Sequence, residues 1–252
     1  MARYDRLSTL MNRFALEVRP SPAEAAHLFV LQQAGASQPH QLVLAPHPSA
    51  PFRPAPDVQV IFSAAVDWGG SDNPLLSALP AQTEQNLEGD ADLAALVQLI
   101  CAEHAARRCG VASVLNRMGE VLIVKMLRRL MEIGVTHAGV LGGLSDRRLA
   151  RAIVSMHEAP GRAWTSADLA DVAGLSVSRF TQLFGQKVGA TPAAYLRRWR
   201  MALARQDIMQ GDRIDAVARR YGYGSSEALN HAMRRETGQA PGAWRRAQAM
   251  QP

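Results

Sequence analysis

The chain has 252 residues, of which 48% are hydrophobic, 20% charged and 6% aromatic. This composition excludes a largely disordered chain and provides enough apolar surface for two domains. The formal net charge of +6 favours an anionic partner, either nucleic acid or a membrane surface. Arginine accounts for 26 of the 28 basic residues, because Lys125 and Lys187 are the only lysines. Its planar guanidinium suits phosphates and guanine edges, although a GC-rich genome also produces such a bias.

The charge is unevenly distributed. Residues 145–252 hold 17 basic and 9 acidic residues, a net charge of +8, whereas residues 1–144 hold 11 and 13, a net charge of −2. The C-terminal part is therefore the candidate anion binder. No stretch approaches the roughly 18 apolar residues of a spanning helix, and charged residues interrupt the N-terminal apolar runs. We expect no signal peptide, no membrane-spanning helix and a cytoplasmic location.

The N-terminal part predicts a small β domain followed by two helices. Short apolar runs at 28–31, 42–44 and 58–62 alternate with segments rich in proline and glycine, as in short strands between turns. From Asp92, apolar residues recur at helical spacing up to Gly110, and a second apolar stripe follows up to Gly134. This wide stripe either packs on the β domain or meets a second copy in a homodimer.

Glycines at 139, 142 and 143 predict a linker over residues 135–145. It would separate a domain of residues 1–134 from an all-α domain of residues 146–252, so the fold class is α+β. Capping residues and helix breakers predict seven helices in the second domain. Their expected starts are Asp146, Ser166, Ser176 or Ser178, Thr191-Pro192, Asp212, Ser225 or Ser226, and Pro241.

The second domain contains an internal repeat. Two copies of one pattern, a small alanine, a turn glycine four residues later, a serine and then an apolar pair spaced i, i+4, are 48 to 49 residues apart. The matched residues are Ala170, Gly174, Phe180, Phe184, Gly189, Pro192 and Tyr195 with Ala218, Gly222, Leu229, Met233, Gly238, Pro241 and Trp244. This pattern is typical of helix-turn-helix units, here 166–189 and 212–238. The linking helix of roughly 18 residues, about 27 Å long, suits recognition helices one turn of B-DNA apart.

The sequence resembles the AraC/XylS family of bacterial transcription regulators. The resemblance rests on "WTSADLADVAGLSVSRFTQLFGQKVGATPAAYLRRWRMALA" and "VARRYGYGSSEALNHAMRRETGQAPGAWRR" within residues 146–246. It implies one DNA-binding domain that contacts two successive major grooves. Leu229 and Met233 replace two phenylalanines usual in the family, and Ala240 replaces a capping serine.

Residues 1–134 resemble the cupin-type sensory domain of one AraC subgroup. The resemblance rests on "DRLSTLMNRF", "NPLLSALP" and "VLIVKMLRRLME". The segment is short for a complete cupin barrel and has no His-x-His or Gly-Asp-x-x-x-x-Pro stretch, so the expectation is a truncated or degenerate barrel. This resemblance implies sensing of a small-molecule or redox effector.

The candidate DNA-binding residues face away from the apolar pair of each recognition helix. Glutamine and asparagine pair with adenine, arginine with guanine or phosphate, and glutamate accepts a hydrogen bond from cytosine. The predicted contacts are Ser178, Arg179, Thr181, Gln182 and Gln186 in the first unit, Arg197 and Arg198 on the linking helix, and Ser226, Glu227, Asn230, His231, Arg234 and Arg235 in the second unit. Each position is also explained by an ordinary solvated helix face.

The remaining expectations concern partners and chemistry. Double-stranded promoter DNA is the expected partner, with RNA polymerase and a second copy of the chain as further candidates. The repeat favours DNA over a membrane surface, so no membrane partner is expected. Cys101 and Cys109, which the pattern places on one helix, are candidate redox thiols or inert ones. No cofactor, metal site or catalytic residue is expected. The rival hypothesis is a DNA-repair enzyme or a metal-dependent cupin enzyme joined to the DNA-binding module.

Overall fold

The computed structural model describes residues 5–47, 52–70, 73–134 and 138–237. The described chain divides into two compact units. One is Phe14–Gly142, and the other combines the residues from Gly143 onward with the N-terminal segment up to Arg13. The N-terminal segment was expected to belong with the β domain, and the contacts instead place it with the helical unit.

The first unit contains a five-stranded antiparallel sheet in the order β1-β4-β2-β3-β5. The strands are β1 (Glu17–Pro20), β2 (Leu28–Gln33), β3 (Pro39–Leu44), β4 (Val58–Asp67) and β5 (Thr83–Asn86). The three predicted strands are confirmed as β2, β3 and β4. The two outer strands, β1 and β5, have no apolar run in the sequence. Each has four residues, of which two are exposed to solvent, as is common at the edge of a sheet.

Both faces of the central strands carry buried side chains. Leu28 and Val30 of β2 are fully buried, and Phe29 between them is fully buried on the opposite face. Phe29 stacks on Phe52 with ring centroids 4.4 Å apart, and this cluster also includes Val43. Apolar side chains are therefore buried on both sides of the sheet, and the Phe29 cluster fills one of them.

Two helices follow the sheet, α2 (Ala91–Ala106) and α3 (Val111–Ile133). The prediction that α2 continues to Gly110 was wrong, because Arg107 adopts the left-handed conformation with φ 47° and ends the helix. Gly110 instead precedes α3 with φ 83°. Cys109 therefore lies in the loop between the helices, and not on one helix with Cys101.

The expected linker is partly helical, since Val140–Ser145 forms α4. Gly143 of this helix is closely packed. A Cβ there would lie 2.4 Å from Ile153 Cδ1 and 2.8 Å from Val188 Cγ2. The glycine-rich composition that predicted a flexible linker therefore serves a close helix contact at this residue.

The second unit is all α. Its helices are α1 (Ser8–Arg13), α5 (Arg147–Glu158), α6 (Ser166–Ala173), α7 (Val177–Val188), α8 (Pro192–Met209), α9 (Ile214–Arg220) and α10 (Ser226–Thr237). Helix α1 packs against α5, and Arg6 donates a hydrogen bond to the Leu144 carbonyl at 2.8 Å. The helix predicted from Pro241, together with Gly238 and Trp244, lies outside the described residues.

The capping residues refine the predicted starts of these helices. Thr165, and not Ser166, caps α6, because its hydroxyl and the Asp168 carboxylate form a reciprocal capping box. Ser176 caps α7, and the Ser225 hydroxyl accepts the Ala228 amide at the start of α10. Asp212 does not cap α9: the N-cap position is Arg213, which makes no side-chain cap bond.

Candidate nucleic-acid interface

Two helix-turn-helix units are present where the repeat predicted them. In the first, α6 and α7 meet at buried Ala170, and Gly174 turns the chain in the left-handed conformation with φ +68°. In the second, Ala218 and Gly222 occupy the same places between α9 and α10, with φ +75° at the glycine. A side chain with a Cβ would be strained at both glycines, which explains why the repeat retains them.

The two second helices are anchored differently. Phe180 and Phe184 of α7 are fully buried, with ring centroids 5.5 Å apart, and Phe184 meets Tyr195 edge-on at 5.7 Å. In α10 the equivalent Leu229 and Met233 are also fully buried. The aliphatic replacements therefore fill the core of the second unit, and they leave its recognition helix without an aromatic anchor.

A buried histidine of α5 contacts two aromatic residues of the linking helix α8. The ring of His157 stacks on Trp199 with centroids 3.9 Å apart, and its Nε2 lies 2.6 Å from the Tyr195 hydroxyl. Complete burial lowers the pKa of His157 to about 3, so the ring is neutral. Burial also raises the pKa of Tyr195. Tyr195 and Trp199 are core residues, whereas Trp164 is half-buried and carries Arg162 over its ring at 4.0 Å.

The predicted reading face of α7 is exposed. Five side chains that point away from the buried Phe180 and Phe184 are accessible to solvent, namely Ser178, Arg179, Thr181, Gln182 and Gln186. Arg179 donates a hydrogen bond to Gln182 Oε1 at 3.0 Å, so these two groups form a pair. The Thr181 hydroxyl donates to the Val177 carbonyl at 2.9 Å, and Val177 is itself 47% exposed. Because its hydroxyl proton is donated to the backbone, Thr181 offers a methyl group and a hydroxyl acceptor, but no donor, for outward contacts.

Helix α10 presents a comparable set of side chains. Glu227, His231, Arg234 and Arg235 are exposed, whereas Ser226 and Asn230 are only partly accessible. Asn230 Oδ1 is buried and has no hydrogen-bond partner among the described residues. Hydrogen bonds from its own backbone amide and from Ser225 lower the pKa of Glu227, which keeps a negative charge at the start of the helix.

The arginines of the linking helix α8 fall into two groups. Arg198 is exposed on α8, and Arg197 pairs with Glu236 of α10 at 3.3 Å while it stays 44% exposed. Arg200 instead donates to the carbonyls of Pro160 and Arg162, at 2.6 and 2.7 Å. It therefore holds the fold together, a role that side-chain spacing did not indicate.

The arginines around α9 form ion pairs with nearby carboxylates. Arg220 contacts both Asp207 and Asp212, and these bonds raise its pKa further above the ordinary value. Arg219 pairs with Asp215 at 3.4 Å.

The two thiols differ in their surroundings. Cys101 is half-buried in α2, and burial raises the pKa of its thiol to about 11. Cys109 is exposed in the loop before α3. Within the described ranges, no group of three or more histidine, cysteine, aspartate or glutamate side chains could hold a metal ion. In the same part of the chain, no helix is long and apolar enough to cross a bilayer.

Each half of the chain matches the model of a known domain family. A helix-turn-helix domain model matches residues 169–247, and a cupin model matches residues 12–132. The helix-turn-helix match covers both repeated units, and the cupin match covers the sheet with α2 and α3. The chain is therefore similar to AraC-type regulators, with a cupin-like domain before a helix-turn-helix domain.

Parts of the chain are also similar to known regulators and to solved structures. A putative AraC-like transcription regulator of Streptomyces lividans is 38% identical over 138 residues, which are 54% of this chain and 45% of that protein. The RCS-specific HTH-type transcriptional activator RclR of Escherichia coli is 36% identical over 111 residues, 44% of this chain and 39% of that protein. An AraC-type regulator structure from Chromobacterium violaceum has 26% identity and a TM-score of 0.39, and the match covers 42% of this chain and 94% of that one. The chain spans about half the length of the curated relatives it matches.

Proposed function

We propose that the chain is a cytoplasmic transcription regulator that binds specific double-stranded promoter DNA and is not an enzyme. Two exposed polar recognition helices, carried by two copies of one helix-turn-helix unit, are the observation that supports it most directly. In such units the N-terminal residues of the second helix contact base edges in the major groove. The polar faces of α7 and α10 are suited to this role in two successive grooves.

Base contacts are assigned to the exposed face of each recognition helix. On α7 they are Ser178, Thr181, Gln182 and Gln186, with Arg179 on a base or a phosphate. On α10 the corresponding residues are Ser226, Glu227, Asn230 and His231. Because Arg179 and Gln182 are joined by a hydrogen bond, they are expected to read adjacent base pairs as one group.

Phosphate contacts are assigned to arginines that flank these faces. Arg197 and Arg198 on α8, with Arg234 and Arg235 on α10, are exposed and carry no function in the buried core. Neutralised phosphates release counterions, so binding should weaken as the salt concentration rises. Phosphate contacts of this kind would set the orientation of the domain on the duplex, whereas the recognition faces would set the sequence.

Control is assigned to the cupin unit, with a small molecule or an oxidant as its effector. Helices α2 and α3 of this unit expose large apolar side chains, with Leu99 57% and Val121 50% accessible. This surface supports a homodimer through these helices. Sedimentation velocity should show a dimer that Val121→Glu disrupts, whereas the control Gln59→Glu, at an exposed position of the sheet, leaves it intact. RNA polymerase is a second protein partner that this function implies.

A selection experiment tests the proposed function. The full chain is incubated with a pool of random duplexes, and bound sequences are enriched over several rounds. We expect two half-sites about 10 bp apart to be enriched, and gel shifts to show tighter binding to them than to random DNA at the same salt concentration. Equal affinity for selected and random duplexes would exclude a sequence-specific regulator.

A further inference from the structure

The turn of the second helix-turn-helix unit touches the loop before the first unit at a pair of glycines. Gly161 lies in the loop between α5 and α6, and Gly222 is the turn glycine between α9 and α10. A Cβ on Gly161 would lie 2.3 Å from the Arg220 carbonyl oxygen, and a Cβ on Gly222 would lie 2.5 Å from the Gly161 carbonyl oxygen. Both obstacles are backbone atoms, so they cannot move aside as a side chain could. Two backbone segments therefore pack directly on each other at this place.

A half-buried arginine holds the same loop to the linking helix. Arg200 of α8 donates from Nε to the Pro160 carbonyl at 2.6 Å and from a terminal nitrogen to the Arg162 carbonyl at 2.7 Å. These carbonyls lie on either side of Gly161. The arginine thus fixes the backbone on both sides of the glycine contact.

Each side of the contact is tied firmly to its own unit. On the first side, Trp164 donates to the Ala159 carbonyl at 3.0 Å, and Arg162 lies 3.7 Å from Asp168 of α6. On the second side, buried Tyr221 precedes Gly222, and the Tyr223 amide donates to the Ala218 carbonyl at 2.9 Å. A displacement of one unit would therefore have to break the glycine contact or distort a helix-turn-helix.

We propose that the Gly161–Gly222 contact, clamped by Arg200, is a spacing lock that holds the two recognition helices at one fixed separation. Asp207 of the linking helix already holds Tyr221 and Arg220 of the second unit. The glycine contact adds a tie between that unit and the loop before the first unit, and so resists bending and twisting between them. This inference rests on the proposed function, because it concerns how two half-sites are read together. It names Gly161, Gly222 and Arg200 as positioning residues that need not touch DNA.

The lock predicts a strict spacing requirement. One extra base pair between half-sites moves the second one by about 3.4 Å and rotates it by about 34° around the duplex. A rigid pair of helices cannot follow this change, so we expect the wild-type chain to lose at least tenfold in affinity. In Gly161→Ala the added Cβ forces the segments apart, so affinity at the best spacing should fall a few-fold and the penalty for one base pair should shrink below threefold.

Two further variants separate the lock from a general loss of structure. Arg200→Lys keeps the positive charge, removes the two-carbonyl clamp and introduces no clash, so it should also flatten the spacing profile. It provides the test if Gly161→Ala fails to fold. Gly224→Ala is the matched control, because a Cβ there meets nothing within 4 Å, and it should keep the wild-type profile. Circular dichroism monitors the fold of each variant.

The experiment uses the full chain, duplexes from the selection above, and versions with one or two base pairs inserted or removed between the half-sites. Flattened profiles in Gly161→Ala and Arg200→Lys support the lock. Lower affinity with an unchanged profile in the folded variants overturns it, as does a wild-type chain that tolerates every spacing. In that last case the enriched sequences would still support the proposed function, whereas failure to enrich any sequence would overturn the function itself.

Discussion

The Tyr221 hydroxyl donates a hydrogen bond to the Asp207 carboxylate with the oxygens 2.5 Å apart, and this buried pair joins α9 to the end of α8. Arg220 binds the same carboxylate. We expect Tyr221→Phe to lower the free energy of unfolding by about 2 kcal/mol, because a buried charged acceptor loses a donor. Urea unfolding followed by circular dichroism measures this. Asp215→Asn, which alters a more exposed carboxylate beside Arg219, should change the midpoint far less, and an equal loss would contradict the assignment.

The neutral His157 makes the helical unit sensitive to acid. The pKa of His157 is about 3 in the folded chain, against an ordinary value near 6.5 in the unfolded chain. Below about pH 6.5 the unfolded chain therefore binds the proton more readily than the folded chain. The free energy of unfolding is therefore unaffected by protonation of His157 above about pH 6.5 and decreases as the pH falls from 6.5 towards 3. Between pH 7 and pH 5 the loss should be about 2 kcal/mol. In His157→Phe the unfolding free energy should vary much less over this interval, whereas His231→Gln should retain the wild-type dependence.

Thr181 is expected to contact a base through its methyl group, because its hydroxyl is bonded to the Val177 carbonyl. A thymine methyl is the natural apolar partner in the major groove. Thr181→Val should keep the affinity for the selected site within about threefold, whereas Thr181→Ser should weaken it, by roughly tenfold if a thymine is contacted. Replacing that thymine by deoxyuridine should weaken the wild type and leave the serine variant nearly unchanged. The opposite ranking of the two variants would restore the hydroxyl as the reading group.

Arg198 should contribute affinity without specificity. If it contacts one phosphate, Arg198→Ala should weaken binding to selected and random duplexes by the same factor. The slope of log affinity against log salt concentration should fall by about 0.9, as expected for one released counterion. Arg213→Ala is the control, since Arg213 pairs with Asp215 and is not among the predicted contacts. A change confined to one DNA sequence would instead indicate a base contact.

The two cysteines should react at very different rates. The thiolate is the reactive form, and a pKa of about 11 leaves roughly one Cys101 thiol in a thousand ionised at pH 8. With a disulfide reagent at that pH we expect one fast thiol and one slow thiol. Cys109→Ser should remove the fast phase, and Cys101→Ser should leave it. A fast phase that survives Cys109→Ser would make Cys101 the accessible thiol.

The sequence alone predicted most of the helical unit. Its repeat, the turn glycines and the capping residues depend on local backbone geometry, and Gly174, Gly222, Ser176 and Thr191 act as their positions indicated. The apolar periodicity likewise separated Phe180 and Phe184 from the exposed face of α7.

Only the tertiary structure decided which polar groups are free to act. Arg198 and Arg200 are two residues apart on one helix, yet one is exposed and the other is bound to two carbonyls from a loop some 40 residues earlier in the chain. Thr181 and Asn230 similarly lose part of their predicted polar reach to the Val177 carbonyl and to burial. The contact between Gly161 and Gly222 had no signal in local spacing, because it joins segments that become neighbours only when both units have folded. Helix periodicity depends on neighbouring residues, whereas these assignments depend on which distant segments pack together.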